Sequence, residues 1–256
     1  MNRSFRIILP LLIALFFLGF CFEATATAQP VQLPQFELRL GDGDGEPQDL
    51  VGFLQLLLIL ALLTLAPAFI MLMTAFTRIV VVLSFTRHAL ATQQIPPNQV
   101  VIGLALFLTF FVMQPVAAQV NEQAIQPYLE GEITQEEAFA LGEEPIREFM
   151  FYHTREKDQA LFLDIAGLAP PETRADVPLH ILVPSFVISE LKTAFQMGFM
   201  LFVPFLIIDM VVASTLMSMG MFMLPPVIVS MPFKILLFIL VDGWHLVVKS
   251  LLQSFG

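Results

Sequence analysis

From Val51 to Met73, and again from Val100 to Val120, the chain carries no charged residue. At about 1.5 Å of rise per residue, either stretch coiled as a helix crosses a bilayer core of about 30 Å. Lipid offers no partner to a free backbone N–H or C=O, so runs of this kind are expected to be helices. Composition agrees. Of the 256 residues, 57% are hydrophobic and 13% charged, against about 45–50% and about 25% in soluble domains. The expected fold is an all-α integral membrane protein of about four apolar helices, with a small helical extracytoplasmic subdomain.

The charges mark the wet parts. The net charge is −10, and most acids fall within 37–49 and 122–176, which should therefore be aqueous. A net acidic chain without a basic cluster argues against a nucleic-acid partner. The single cysteine, Cys21, sits in the first apolar run, which excludes disulfides and thiolate chemistry elsewhere. Bulky Phe20 before it argues against a lipoprotein site. The four histidines are scattered without metal-ligand spacing, and neither a G-x-S-x-G turn nor a phosphate loop is present. No catalytic, cofactor or metal residue is expected.

Residues 1–28 read as a signal peptide: Arg3 and Arg6, an apolar run from Ile7 to Phe22, then Ala26-Thr27-Ala28. Cleavage after Ala28 leaves Gln29 as the mature N-terminus, outside. The alternative is an uncleaved helix, disfavoured by Pro10, the short run and the small-x-small site. Residues 29–50 form an acidic linker; its Gly41–Glu46 run lacks the spacing and closing Glu of a calcium loop. Residues 51–120 hold the first two membrane helices. Between them, 74–99 carries Arg78 and Arg87 without an acid, so the positive-inside rule makes it a cytoplasmic loop, with Asn98 capping the next helix. Residues 121–185 form the extracytoplasmic subdomain. Thr134 and Glu137 have capping-box spacing, and Pro145 suits a helix start with Ile146, Phe149 and Met150 on one face.

The last segment, 186–256, is expected to be a helical hairpin, roughly 188–214 and 227–249. It holds Glu190, Lys192, Asp209, Lys234 and Asp242 in or beside apolar helices. A charge at the bilayer centre costs about 2.5–3.5 kcal/mol even on lenient scales. These helices are therefore expected to face protein or a wet cavity, and a chain this small needs further copies to provide that. Glu190 and Lys234 have opposite signs and can neutralise one another as a buried pair, within a chain or between chains; the alternative is that each snorkels to an interface. Asp209 and Asp242 could suggest an intramembrane aspartyl protease sharing one proton, but neither has that class's Tyr-Asp or Gly-x-Gly-Asp context. An ion-coupled transporter should show inverted repeats, and none is evident. Met217, Met219, Met221, Phe222 and Met223 precede Pro225-Pro226. Composition alone favours ordinary packing for them over a deformable constriction, though methionine suits either.

Two stretches alter that balance. Pro184-Ser185-Phe186-Val187-Ile188-Ser189-Glu190-Leu191-Lys192-Thr193-Ala194-Phe195-Gln196-Met197-Gly198-Phe199 closely resembles one signature of the FliP family, the P subunits of the bacterial flagellar type III export gate. Pro232-Phe233-Lys234 through Val241-Asp242-Gly243-Trp244 resembles its second signature. The resemblance covers about residues 50–255. It implies a non-enzymatic, multi-pass protein of the bacterial inner membrane and flagellar basal body. It further implies a homopentamer that joins the smaller Q and R gate subunits and the basal-body membrane ring, and passes unfolded flagellar subunits out of the cytoplasm. On that resemblance the C-terminal hairpin lines the pore, and Met221, Phe222 and Met223 match the methionine-rich gasket, with Phe222 where methionine is usual. Virulence-type export subunits share the second signature but generally lack the cleaved signal, so the flagellar reading is preferred.

Overall fold

The computed structural model describes residues 47–92, 95–169, 171 and 173–256. The expected signal peptide, its Ala28–Gln29 junction and nearly all of the linker lie outside the described residues. Among the described residues, every regular element is helical. α1 spans Pro47–Leu72 and α2 spans Phe76–Ala89. α3 spans Asn98–Val120, runs through a wide turn at Asn121–Ile125 and passes into the short α4, Gln126–Glu130. α5 (Gln135–His153) and α6 (Glu156–Ile165) follow. α7 occupies Leu179–Ser218. α8 (Pro226–Leu240) and α9 (Gly243–Gln253) are bent by 65° at the break between them. Three helical stretches, beginning at Gly52, Asn98 and Leu179, are long and apolar enough to cross a membrane; the bent α8–α9 pair could add a fourth.

The core is built around α2. Ala75, Ile79, Val82 and Leu83 pack with Val101 and Ala105 of α3, Ala194 and Phe205 of α7, and Val247 and Leu251 of α9. A second cluster, of Met150, Leu163, Val177, Ile181, Leu182 and Phe186, joins α5 and α6 to the start of α7. Two close approaches depend on glycine. A Cβ on Gly198 would meet the Phe85 ring at 2.6 Å, and one on Gly243 would meet the Phe238 ring at 2.2 Å. Glycine is needed at both for contact distance, because neither has a positive φ.

Four expectations change. Residues 74–99 are not a loop: most of the stretch is α2, and Arg78 is 3% exposed. At 14 residues α2 is too short to register as a span. Its arginines were read as free loop charge, whereas Arg78 is consumed by a bonded cluster. That cluster includes His153, 3.4 Å from the guanidinium, so 78 and 153 cannot lie on opposite sides of a membrane as the charge rule placed them. Pro145 does not start a helix; α5 begins at Gln135 under the Thr134–Glu137 capping box and runs on through Pro145, which lacks the N–H for its intrahelical bond and crowds the carbonyl one turn back. Asn98 does not cap α3. Pro97 holds that position without a side-chain bond, and Asn98 Oδ1 accepts from the Arg87 guanidinium. No break in α7 marks the expected boundary at 185–186.

Candidate functional site

α7 is the axis on which the singled-out residues are mounted. Its 40 residues extend about 60 Å, twice the depth of a bilayer core. Glu190, Asp209 and the methionine turn lie at successive levels along it.

At the Glu190 level the chain closes on itself. Arg78 Nε donates to Glu190 Oε2 at 2.8 Å, and Nη2 donates to Oε1 of the same carboxylate. Nη1 donates to the Ser254 carbonyl at 2.6 Å and to its hydroxyl at 2.9 Å. Nη2 also reaches His153 Nδ1. All five guanidinium donors are engaged, which a lysine in the same place could not match. The guanidinium lies 3.9 Å over the Phe255 ring, and Phe255 stacks on Phe149 at 6.4 Å. Arginine is always a donor, so His153 Nδ1 must accept and the ring must be neutral. Burial and the Arg78 charge push the His153 imidazole down to about 4.

One level further along, Lys234 of α8 donates to Asp209 Oδ2 at 2.7 Å, and the Ser230 hydroxyl donates to Oδ1. Both α8 donors are buried. This triad pins α8 against α7. The expected Glu190–Lys234 pair therefore does not form within the chain, because each residue has another partner. Lys234 sits opposite Asp209, about 28 Å along the helix from Glu190. Opposite sign on apolar helices identified which residues need partners, but not which partners they take. Arg78, His153 and Ser254 were missed; the only signal was an arginine next to the core-forming Ile79–Leu83 run.

Asp209 and Asp242 do not act as a pair. Asp209 is held by Lys234 and Ser230. Asp242 is exposed at the α8–α9 break with φ 51°, a left-handed conformation that Asp tolerates better than most residues. The break lets Trp244 meet Phe238 edge-on at 5.5 Å. Among the described residues, no buried side-chain nitrogen or oxygen lacks a partner. These polar groups hold helices in place.

The methionine turn is the opposite case. Gly220 has φ +76° and reverses the chain after α7. Beyond it Met221 is 38% exposed, Phe222 76% and Met223 96%. α1 is equally unsupported, with none of its apolar window buried.

Residues 59–251 match the FliP family. The chain is 61% identical over 210 residues to the flagellar biosynthetic protein FliP of Bacillus subtilis strain 168, covering 82% of this chain and 95% of that one. It is 47% identical over 226 residues to FliP of Aquifex aeolicus strain VF5, covering 88% and 92%. Against FliP of Treponema pallidum strain Nichols it is 46% identical over 238 residues, covering 91% and 86%.

Proposed function

The chain belongs to the FliP family, and from that premise we propose that it forms the protein-conducting part of a flagellar type III export gate. It is a multi-pass membrane component of the flagellar apparatus. In the proposed assembly five copies form a ring in the inner membrane with the smaller Q and R subunits, within the basal-body membrane ring. Unfolded flagellar subunits pass through it, and no bond is made or broken by this chain. The signal is removed between Ala28 and Gln29, and the 121–185 subdomain lies outside the cytoplasm together with the Arg78 end of α2 that bonds to it.

One observation carries the reading. The turn holding Met221, Phe222 and Met223 is exposed at the end of a long helix whose α8 partner is fixed by the Asp209–Ser230–Lys234 triad. A rigid hairpin with an apolar tip and nothing of its own chain over that tip suits a ring in which the tips meet at an axis. A narrow apolar constriction excludes ions by dewetting, and methionine and phenylalanine can repack around a passing chain without breaking specific bonds. The test is ion conductance of membranes containing the purified complex. Changing Met221, Phe222 and Met223 together to Ser should leave assembly intact and raise the resting leak. A fully assembled variant no leakier than wild type would remove these residues from the gate.

A further inference from the structure

Four of the chain's 13 methionines fall close together, at 217, 219, 221 and 223. All four are exposed, Met223 by 96%. Methionines elsewhere are placed differently. Met150 is 0% exposed in the core of the extracytoplasmic subdomain, and Met113 and Met197 are half-buried against the core around α2. Met200 and Met210 are exposed singly along α7. A thioether sulfur is open to oxidation where an oxidant can reach it, so the turn after α7 concentrates the chain's reachable thioethers.

The oxidant such a sulfur meets is a peroxide, and the reaction balances without a cofactor. The sulfur lone pair attacks one oxygen of hydrogen peroxide and the O–O bond breaks. The hydroxide that leaves takes up the proton of the new S–OH group, giving sulfoxide and water. Sulfur is oxidised by two electrons and the peroxide is reduced by two. The product is a polar, chiral side chain where an apolar one stood. A dithiol-dependent sulfoxide reductase returns the two electrons and releases the oxygen as water. Phe222, between Met221 and Met223, has no sulfur, so this chemistry at the tip belongs to the two methionines.

We propose that Met221 and Met223 form a peroxide-sensitive switch, opened to ions by sulfoxidation and closed again by reduction. The inference rests on the reading of this turn as the seal. A seal that works by dewetting needs an apolar lining. One oxygen on each of two residues per subunit removes that property and keeps the length and flexibility of the side chains. The anchors are untouched: Lys234 and Ser230 hold Asp209 through nitrogen and oxygen atoms, not through sulfur. The hairpin therefore stays in place while its tip changes from apolar to polar.

The test uses the purified full-chain complex in planar bilayers. Its resting conductance is read before hydrogen peroxide, after it, and again after treatment with methionine sulfoxide reductases for both epimers. Peptide mass spectrometry should find one added oxygen on Met221 and on Met223 before any on Met150, and native mass spectrometry should find the oxidised complex still assembled. The leak should rise toward that of the variant with Ser at 221, 222 and 223, and fall back on reduction. Met221→Leu/Met223→Leu, compared with its own leak before peroxide, should gain none, although Met200, Met210, Met217 and Met219 remain oxidisable. Met200→Leu/Met210→Leu should respond as wild type does. If oxidised wild type stays tight while the Ser variant leaks, the switch is overturned and the seal stands; a tight Ser variant removes both. A peroxide-induced leak that persists in Met221→Leu/Met223→Leu, or loss of the assembled complex on oxidation, would also overturn the proposal.

Discussion

At Glu190, α7 is enclosed by its own chain: α2 supplies Arg78, α5 supplies His153, and the C-terminal end supplies Ser254 and Phe255. At the far end of the same helix, the turn after Ser218 leaves Met219, Phe222 and Met223 exposed. The first region combines buried charge with complete hydrogen bonding; the second combines apolar surface with no cover. A buried charge is costly until every donor and acceptor is matched, so it must be solved inside the subunit. An apolar tip is costly only in water, so it can wait for a neighbouring chain or lipid.

The difference can be broken first at the junction. Removing one member of a buried, hydrogen-bonded ion pair costs about 3–5 kcal/mol, because the survivor stays buried unpaired. Arg78→Gln or Glu190→Gln should therefore sharply lower the yield and protease resistance of the complex. A Lys234 substitution should not mimic them through Glu190, since Lys234 answers to Asp209. Normal protease resistance in Arg78→Gln would mean that the junction is dispensable.

Overpacking ranks next. Gly198→Ala places a methyl 2.6 Å from the Phe85 ring, and Gly243→Ala places one 2.2 Å from the Phe238 ring, at about 1–3 kcal/mol each. Thermal unfolding in detergent should show both losses, whereas Gly220 has open space around it and is sensitive only through its positive φ.

A smaller effect comes from acid. His153 in the folded chain titrates near 4, below its ordinary value of 6.5, from burial and then the Arg78 charge. Between those values the unfolded chain takes up a proton that the folded chain refuses. Stability is thus full above 6.5 and falls as the pH drops through that window. Melting at pH 7.5 and pH 5.5 should differ in wild type, and the difference should shrink in His153→Gln. An unchanged pH dependence in the variant would remove His153 as its source.

Much of this was legible in the chain. The uncharged runs located α1, α3 and most of α7, Thr134 and Glu137 located the start of α5, and the Pro225-Pro226 pair located the turn. Each of these is a local signal. The charges in the last segment were correctly seen to need partners, but pairing is tertiary: Arg78 and Glu190 are 112 positions apart. α2 was hidden because a short helix with two arginines resembles a charged loop until its burial is known.

In the proposed ring the Met-rich tips are completed by copies of the same chain, while the Arg78 junction is complete within one. The only native cysteine is Cys21, within the signal proposed to be removed, so the mature chain permits single-cysteine reporters. Met223→Cys in the assembled complex should oxidise rapidly to disulfide-linked dimers, as convergence at an axis brings the tips within bonding distance. Ile79→Cys, in the core beside Arg78, should stay reduced and monomeric. Monomers at both positions, or equal crosslinking at both, would contradict the account.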